Sequence, residues 1–150
     1  MTPAHKISVM FVCIGNSCRS PMAEGIARGL ASDVMEVSSA GLSPLGVVQK
    51  QSLQTLEVNG FLSDGLSSKP IFRDAWDAAE IVINMSGYAR ERAFADYTKV
   101  EDWDIEDPYG EAPEVYQRIF EDIRGRVVDL IERVRRRRER EYGLSQGEFI

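Results

Sequence analysis

Cysteine and histidine are scarce in this chain, with two Cys and one His among 150 residues. Cys13 and Cys18 fall in one short stretch, so no disulfide framework ties distant segments together, and reduced thiols are expected. His5 lies apart from both, which leaves a poor donor set for zinc; neither a metal nor a cofactor is expected. No apolar run approaches the length that crosses a bilayer, so no membrane association is expected. The start, Met1 to Lys6, lacks the apolar segment of a secretion signal, which makes the cytoplasm the expected location. Positive charge is in deficit as well. The formal net charge of -6 argues against non-specific binding to nucleic acid. No internal repeat or linker divides the sequence, and its length suits one domain over residues 1–150.

What is present concentrates in Cys13-Ile14-Gly15-Asn16-Ser17-Cys18-Arg19-Ser20-Pro21. An apolar run from Ile7 to Val12 precedes it and reads as a buried strand; Met22 to Leu30 follows and reads as a helix. Strand, tight loop and helix N-terminus in that order make an anion cradle, because backbone N–H groups turn inward and the helix adds its own unpaired donors and dipole. The same donors and the Arg19 guanidinium favour an ionised sulfur at Cys13. A thiolate beneath a tetrahedral oxyanion is a nucleophile aimed at phosphorus.

Strands and helices alternate along the rest of the chain, which favours a three-layer α/β sandwich with the cradle after its first strand. Ser20 is placed to cap the first helix and Pro21 fits its first turn. On that helix Met22, Ile26, Ala27 and Leu30 are expected to face the sheet, with Glu24 and Arg28 turned away. Val34 to Ser38 reads as a second strand closed by Ser39-Ala40-Gly41. Pro44 to Val58 is roughly helical, and Asp74 to Ala79 is a short helical segment. Ile81 to Met85 is the clearest later strand, with Ser86 as cap of a helix to Ala95, and Lys99 to Trp103 a last exposed strand. Ser67-Ser68-Lys69-Pro70 has no purpose visible in its spacing. From Pro113 to about Tyr142 an apolar stripe marks one long helix, ending in the solvated run Arg135-Arg136-Arg137-Arg138; Gly143 to Ile150 reads as a loose tail.

Expelling an alkoxide or phenoxide from phosphorus requires a proton, so a carboxylic acid should reach the cradle. Asp102, Asp104, Glu106 and Asp107 share one loop, and Asp107 is preferred because Pro108 restricts its backbone to extended geometry.

The cysteine loop with its Ser-Pro continuation, the Ser39-Ala40-Gly41 triplet and Asp107-Pro108-Tyr109-Gly110 resemble the low-molecular-weight protein tyrosine phosphatases, in the same chain order and over Lys6 to roughly Arg136. That resemblance implies a central four-stranded parallel sheet. It implies that Cys13 is the nucleophile, Arg19 the phosphate clamp and Asp107 the general acid, with Ile14, Gly15, Asn16, Ser17, Cys18 and Ser20 building the phosphate loop. Within that loop Asn16 would brace the backbone, Ser20 would hydrogen-bond the thiolate, and Cys18 would protect the nucleophile through a reversible disulfide. Tyr109 and Leu45 would line the substrate entrance. The implied partners are a phosphotyrosine protein or small aryl phosphate, with inorganic phosphate or arsenate as oxyanion ligand.

Two features depart from the family pattern. Leu42-Ser43-Pro44-Leu45-Gly46 carries no aromatic residue where phosphotyrosine-specific members have one, and a lost stacking wall is worth about 1 kcal/mol. The Cys-x-Gly-Asn-Ser-Cys-Arg-Ser form is similar to a branch of arsenate reductases that relay electrons through two later cysteines, yet no cysteine follows Cys18 here. The sequence therefore leaves three activities open: phosphomonoester hydrolysis through a phosphocysteine, arsenate reduction with an external thiol, or weakly active oxyanion binding with a regulatory role.

Overall fold

The computed structural model describes residues 5–147. Its elements, in chain order, are β1 (Ile7–Cys13), α1 (Arg19–Ala31), β2 (Met35–Gly41), α2 (Lys50–Val58), α3 (Arg73–Ala78), β3 (Ile81–Asn84), α4 (Arg90–Ala93), β4 (Val100–Asp102) and α5 (Pro113–Gly147). The four strands form one sheet in the order β2-β1-β3-β4, and every pairing is parallel. The expected four-stranded parallel α/β architecture is therefore what the chain adopts. The apolar strand β1 sits inside the sheet, where a residue needs cover on both faces.

Alternation along β1 divides the core. Ile7, Val9 and Phe11 face α1 and α5, joining Met22, Ile26, Phe120, Ile123 and Val127. Met10 and Val12 face the opposite layer with Ala40, Val82, Phe94 and Val100. On that second face the Trp76 and Phe94 rings stack 5.5 Å apart, and Lys99 Nζ sits 4.5 Å over Trp76.

Several boundaries differ from the sequence reading, each for a local reason. The helix expected over Pro44–Val58 begins only at Lys50, because Leu42, Ser43, Leu45 and Gln49 spend their backbone donors on the cysteine loop. The helix expected from Ser86 to Ala95 shrinks to Arg90–Ala93, with Ala89 as its N-cap; Ser86 instead donates to Asn84 Oδ1 at 2.7 Å. On α1, Met22, Ile26 and Ala27 are buried as expected, but Leu30 is exposed and Glu24 is buried, against the expectation for those two. The strand expected over Lys99–Trp103 is Val100–Asp102. Residues 143–147, expected to be loose, continue α5, while Glu148 to Ile150 and Met1 to Ala4 lie outside the described residues. Arg135, Arg136 and Arg137 are spread in ion pairs with Asp33, Glu132 and Glu80. No helix among the described residues is long and apolar enough to cross a membrane.

Candidate active site

β1 ends at Cys13 and α1 begins at Arg19, so residues 14–18 must turn within a few ångströms over the sheet's carboxyl edge. The carbonyls of this loop are held from outside. Cys13 O accepts from Leu42 N at 3.0 Å, Ile14 O from Ser43 N at 2.8 Å, Gly15 O from Leu45 N at 2.9 Å and Ser17 O from Gln49 N at 3.0 Å. Ser68 Oγ and Ser52 Oγ donate to the Gly15 and Ser17 carbonyls as well. With its acceptors pinned outward, the loop turns its N–H groups toward the space above Cys13. Among the described residues no backbone bond outside helices and strands starts from an amide of residues 14–18. Such uncommitted donors beside the N-terminus of α1 suit an anion.

The side chains under the loop form a connected set. Cys13 Sγ lies 3.0 Å from Ser20 Oγ, and Asn16 Nδ2 donates to Ser20 Oγ at 2.8 Å and to Ser39 Oγ at 2.9 Å. Asn16 has φ +48°, a left-handed conformation that Asn tolerates better than most residues. Its Oδ1 accepts from the backbone of Lys69 at 3.0 Å. Gly41 stands beside Cys13 in the sheet register. A Cβ at Gly41 would come within 2.7 Å of Ile14 O and 3.0 Å of Asn16 N, so only glycine lets the loop settle on β2.

Arg19 is 4% exposed. Its Nη1 donates to Ile105 O at 3.2 Å, and Nη2 lies 3.6 Å from Asp107 Oδ2. Nε is buried without a hydrogen-bond partner among the described residues. A buried guanidinium held at one edge only is a fork prepared for a bidentate oxyanion. Asp107 is half exposed, and its Oδ1 accepts from Tyr109 N at 3.1 Å, which fixes the carboxylate at the rim. Leu45 and Tyr109 stand exposed on two loops, one tied to Gly15 and the other following Asp107.

The sequence pattern of the low molecular weight phosphotyrosine protein phosphatases matches residues 8–140. The chain belongs to that family. A Synechocystis relative named glutaredoxin arsenate reductase is 35% identical over 84% of this chain and 97% of its own. A solved arsenate reductase in the phosphate binding state shares 34% identity with a TM-score of 0.76, over 85% of this chain and 98% of that one. The low molecular weight protein tyrosine phosphatase from T. tengcongensis shares 28% identity with a TM-score of 0.78, over 85% and 99%.

Within this phosphatase-family fold, Cys13, Asn16, Arg19 and Ser20 converge, and Asp107 reaches them from the far loop through Arg19. Ser20 is not the helix cap, since α1 starts at Arg19 with Cys18 at the N-cap position; its hydroxyl turns inward to sulfur instead. Cys18 is a free, buried thiol with Tyr116 Oη 3.4 Å away. Burial pushes the Cys18 thiol up from its ordinary value, against the opposing hydrogen bond from Tyr116. Burial, with Cys18 alongside, also pushes the Tyr116 hydroxyl up.

Three contributors were not legible in the sequence. Ser68 and Lys69 brace the loop from a segment about fifty positions away, and no local pattern signals that role. Glu24 is 3% exposed. It accepts from Ser39 Oγ and pairs with Arg28, extending the Asn16–Ser39 chain into the protein. Glu24→Ala leaves the buried Ser39 hydroxyl without its acceptor, so a loss of about 1–3 kcal/mol is expected in urea unfolding. Glu24→Gln, which keeps an acceptor, is expected to recover part of that loss.

Proposed function

We propose that this chain hydrolyses phosphomonoesters through a phosphocysteine, with protein phosphotyrosine or a small aryl phosphate as substrate. The observation that carries this reading is Cys13 Sγ, 3.0 Å from Ser20 Oγ, beside a loop in which the Cys13, Ile14, Gly15 and Ser17 carbonyls are held from outside. Ser20 hydrogen-bonds the attacking sulfur, while Arg19 and the loop amides hold the equatorial oxygens of the phosphoryl group. The sulfur attacks phosphorus, the P–O bond to the leaving group breaks, and Asp107 delivers the proton that the departing oxygen needs. Asp107, now a carboxylate, accepts a proton from water as that water attacks phosphorus, forming an O–P bond while the S–P bond breaks. Phosphate leaves and the thiolate returns. Leu45 and Tyr109 border the entrance, so the ester group passes between an aliphatic and an aromatic wall.

The test is hydrolysis of p-nitrophenyl phosphate with competitive inhibition by vanadate, together with mass-spectrometric trapping of phosphate on Cys13 at low pH. Absence of both turnover and the trapped adduct would overturn the reading. Asp107→Asn is expected to lower kcat/KM, which reports leaving-group expulsion and not the later hydrolysis step, by about 10²-fold or more for alkyl phosphates. The loss should be much smaller for p-nitrophenyl phosphate, whose leaving group departs without a proton. An equal loss for both would remove Asp107 from the acid role.

A second reading is favoured by the relatives named arsenate reductases. Here Cys13 would bind arsenate with loss of water, and thiols supplied from outside would provide the two electrons that reduce As(V) to As(III) as they become a disulfide. The sequence contains no cysteine after Cys18 for an internal relay. Arsenite formation measured with glutathione and glutaredoxin, beside aryl phosphate hydrolysis, separates the two activities.

A further inference from the structure

A groove of about 850 Å³ opens between the second half of α5 and the β4 edge of the sheet. It lies away from the cysteine loop. Ile81 and Val100 begin β3 and β4, whereas Cys13 ends β1 in the same parallel sheet. Six Arg or Lys side chains and three Glu line it, a cationic surface on a chain whose formal charge is -6. Ile81, Leu130 and Val134 supply an apolar floor.

The cations are arranged in a row rather than around a point. Arg133, Arg136, Arg137 and Arg140 follow one side of α5 over about 10 Å at helical rise. Arg133 pairs with Glu101 at 2.9 Å and Arg137 with Glu80 at 3.3 Å, while Lys99 Nζ donates to the Ala79 carbonyl at 2.8 Å. A compact phosphate requires donors that converge on one atom group. A row of guanidinium groups beside an apolar floor fits an elongated ligand that alternates carboxylates with apolar side chains. The Arg133–Glu101 and Arg136–Glu132 pairs are solvent-exposed and cheap to exchange for incoming carboxylates.

We propose that this groove docks an acidic, apolar-alternating segment of a partner protein, remote from the cysteine loop and independent of the chemistry there. Charge complementarity, the linear spacing along α5 and the apolar floor select this occupant. The sheet edge is closed to added strands at this point, because Arg90 Nη1 already donates to Val100 O at 2.6 Å, so the segment contacts the groove through side chains.

The test uses the full chain and a fluorescein-labelled octapeptide alternating Glu and Leu, with Gln-Leu and Lys-Leu versions as controls, read by anisotropy at low salt. Saturable binding of the Glu-Leu peptide alone is expected, weakening as salt rises. Arg136→Glu with Arg140→Glu, at two exposed positions, is expected to weaken binding at least tenfold while p-nitrophenyl phosphate hydrolysis is unchanged. Amide shift changes on the unaltered protein should centre on residues 98–101 and 130–140, which keeps the proposal testable should the double variant misfold. Equal binding of the Gln-Leu peptide, shift changes centred on residues 13–20, or tighter binding of a single-stranded oligonucleotide than of the Glu-Leu peptide would each overturn it.

Discussion

Cys13→Ser is expected to lower p-nitrophenyl phosphate turnover by at least ~10⁴-fold while leaving oxyanion binding intact or tighter. The substitution exchanges an ionisable sulfur for a hydroxyl that remains protonated near neutral pH and attacks phosphorus poorly. Little else changes. Cys13 is 2% exposed at the end of β1, its carbonyl is held by Leu42 N, and a serine hydroxyl still reaches Ser20. The amides of residues 14–18 and the Arg19 fork depend on loop carbonyls pinned from outside, which the sulfur does not touch. A bound dianion no longer faces a thiolate, so phosphate titrated calorimetrically should bind at least as tightly as to the unaltered protein. Retained turnover would move the nucleophile elsewhere; lost phosphate binding would mean that the sulfur shapes the loop.

Arg19→Ala should cost about 10³-fold or more in kcat, with phosphate binding falling alongside. The guanidinium is the buried cation at the loop, anchored on Ile105 O and Asp107 and leaving Nε free of protein partners among the described residues. Removing it takes away two oxyanion contacts and the charge that holds the Asp107 carboxylate at the rim. Arg19→Lys is expected to recover less than tenfold, since a single ammonium cannot hold Ile105 O and two oxyanion oxygens together. Steady-state kinetics on p-nitrophenyl phosphate with parallel calorimetry measures both effects. A lysine variant with near-normal kcat would show that charge alone suffices.

Local pattern made parts of this protein legible and not others. The apolar run of β1, the turn-rich loop and the 3.6-residue stripe of α5 are periodic signals that need no distant contact, and each appears where its spacing places it. Failures came where a tertiary partner took over a residue. Leu45 and Val48 suited a helix until Leu42, Ser43, Leu45 and Gln49 committed their backbone donors to the cysteine loop. Glu24 suited the outer face of α1, yet Ser39 and Arg28 satisfy its carboxylate inside the protein. Ser20 suited a cap, yet its hydroxyl is shared between Asn16 and Cys13.

By itself the sequence determined the family, the parallel α/β order and the placing of Cys13 and Arg19 at the two ends of one short loop, because only five residues separate the first strand from the next helix. Only the tertiary structure decided what holds that loop open toward an anion. Ser39, Gly41, Ser52, Ser68 and Lys69 come from three other segments, and hydrogen bonds between residues 23 to 53 positions apart leave no periodicity to read. The cationic row above the β4 edge arose in the same way, when packing of α5 turned one side of an ordinary charged helix toward a groove.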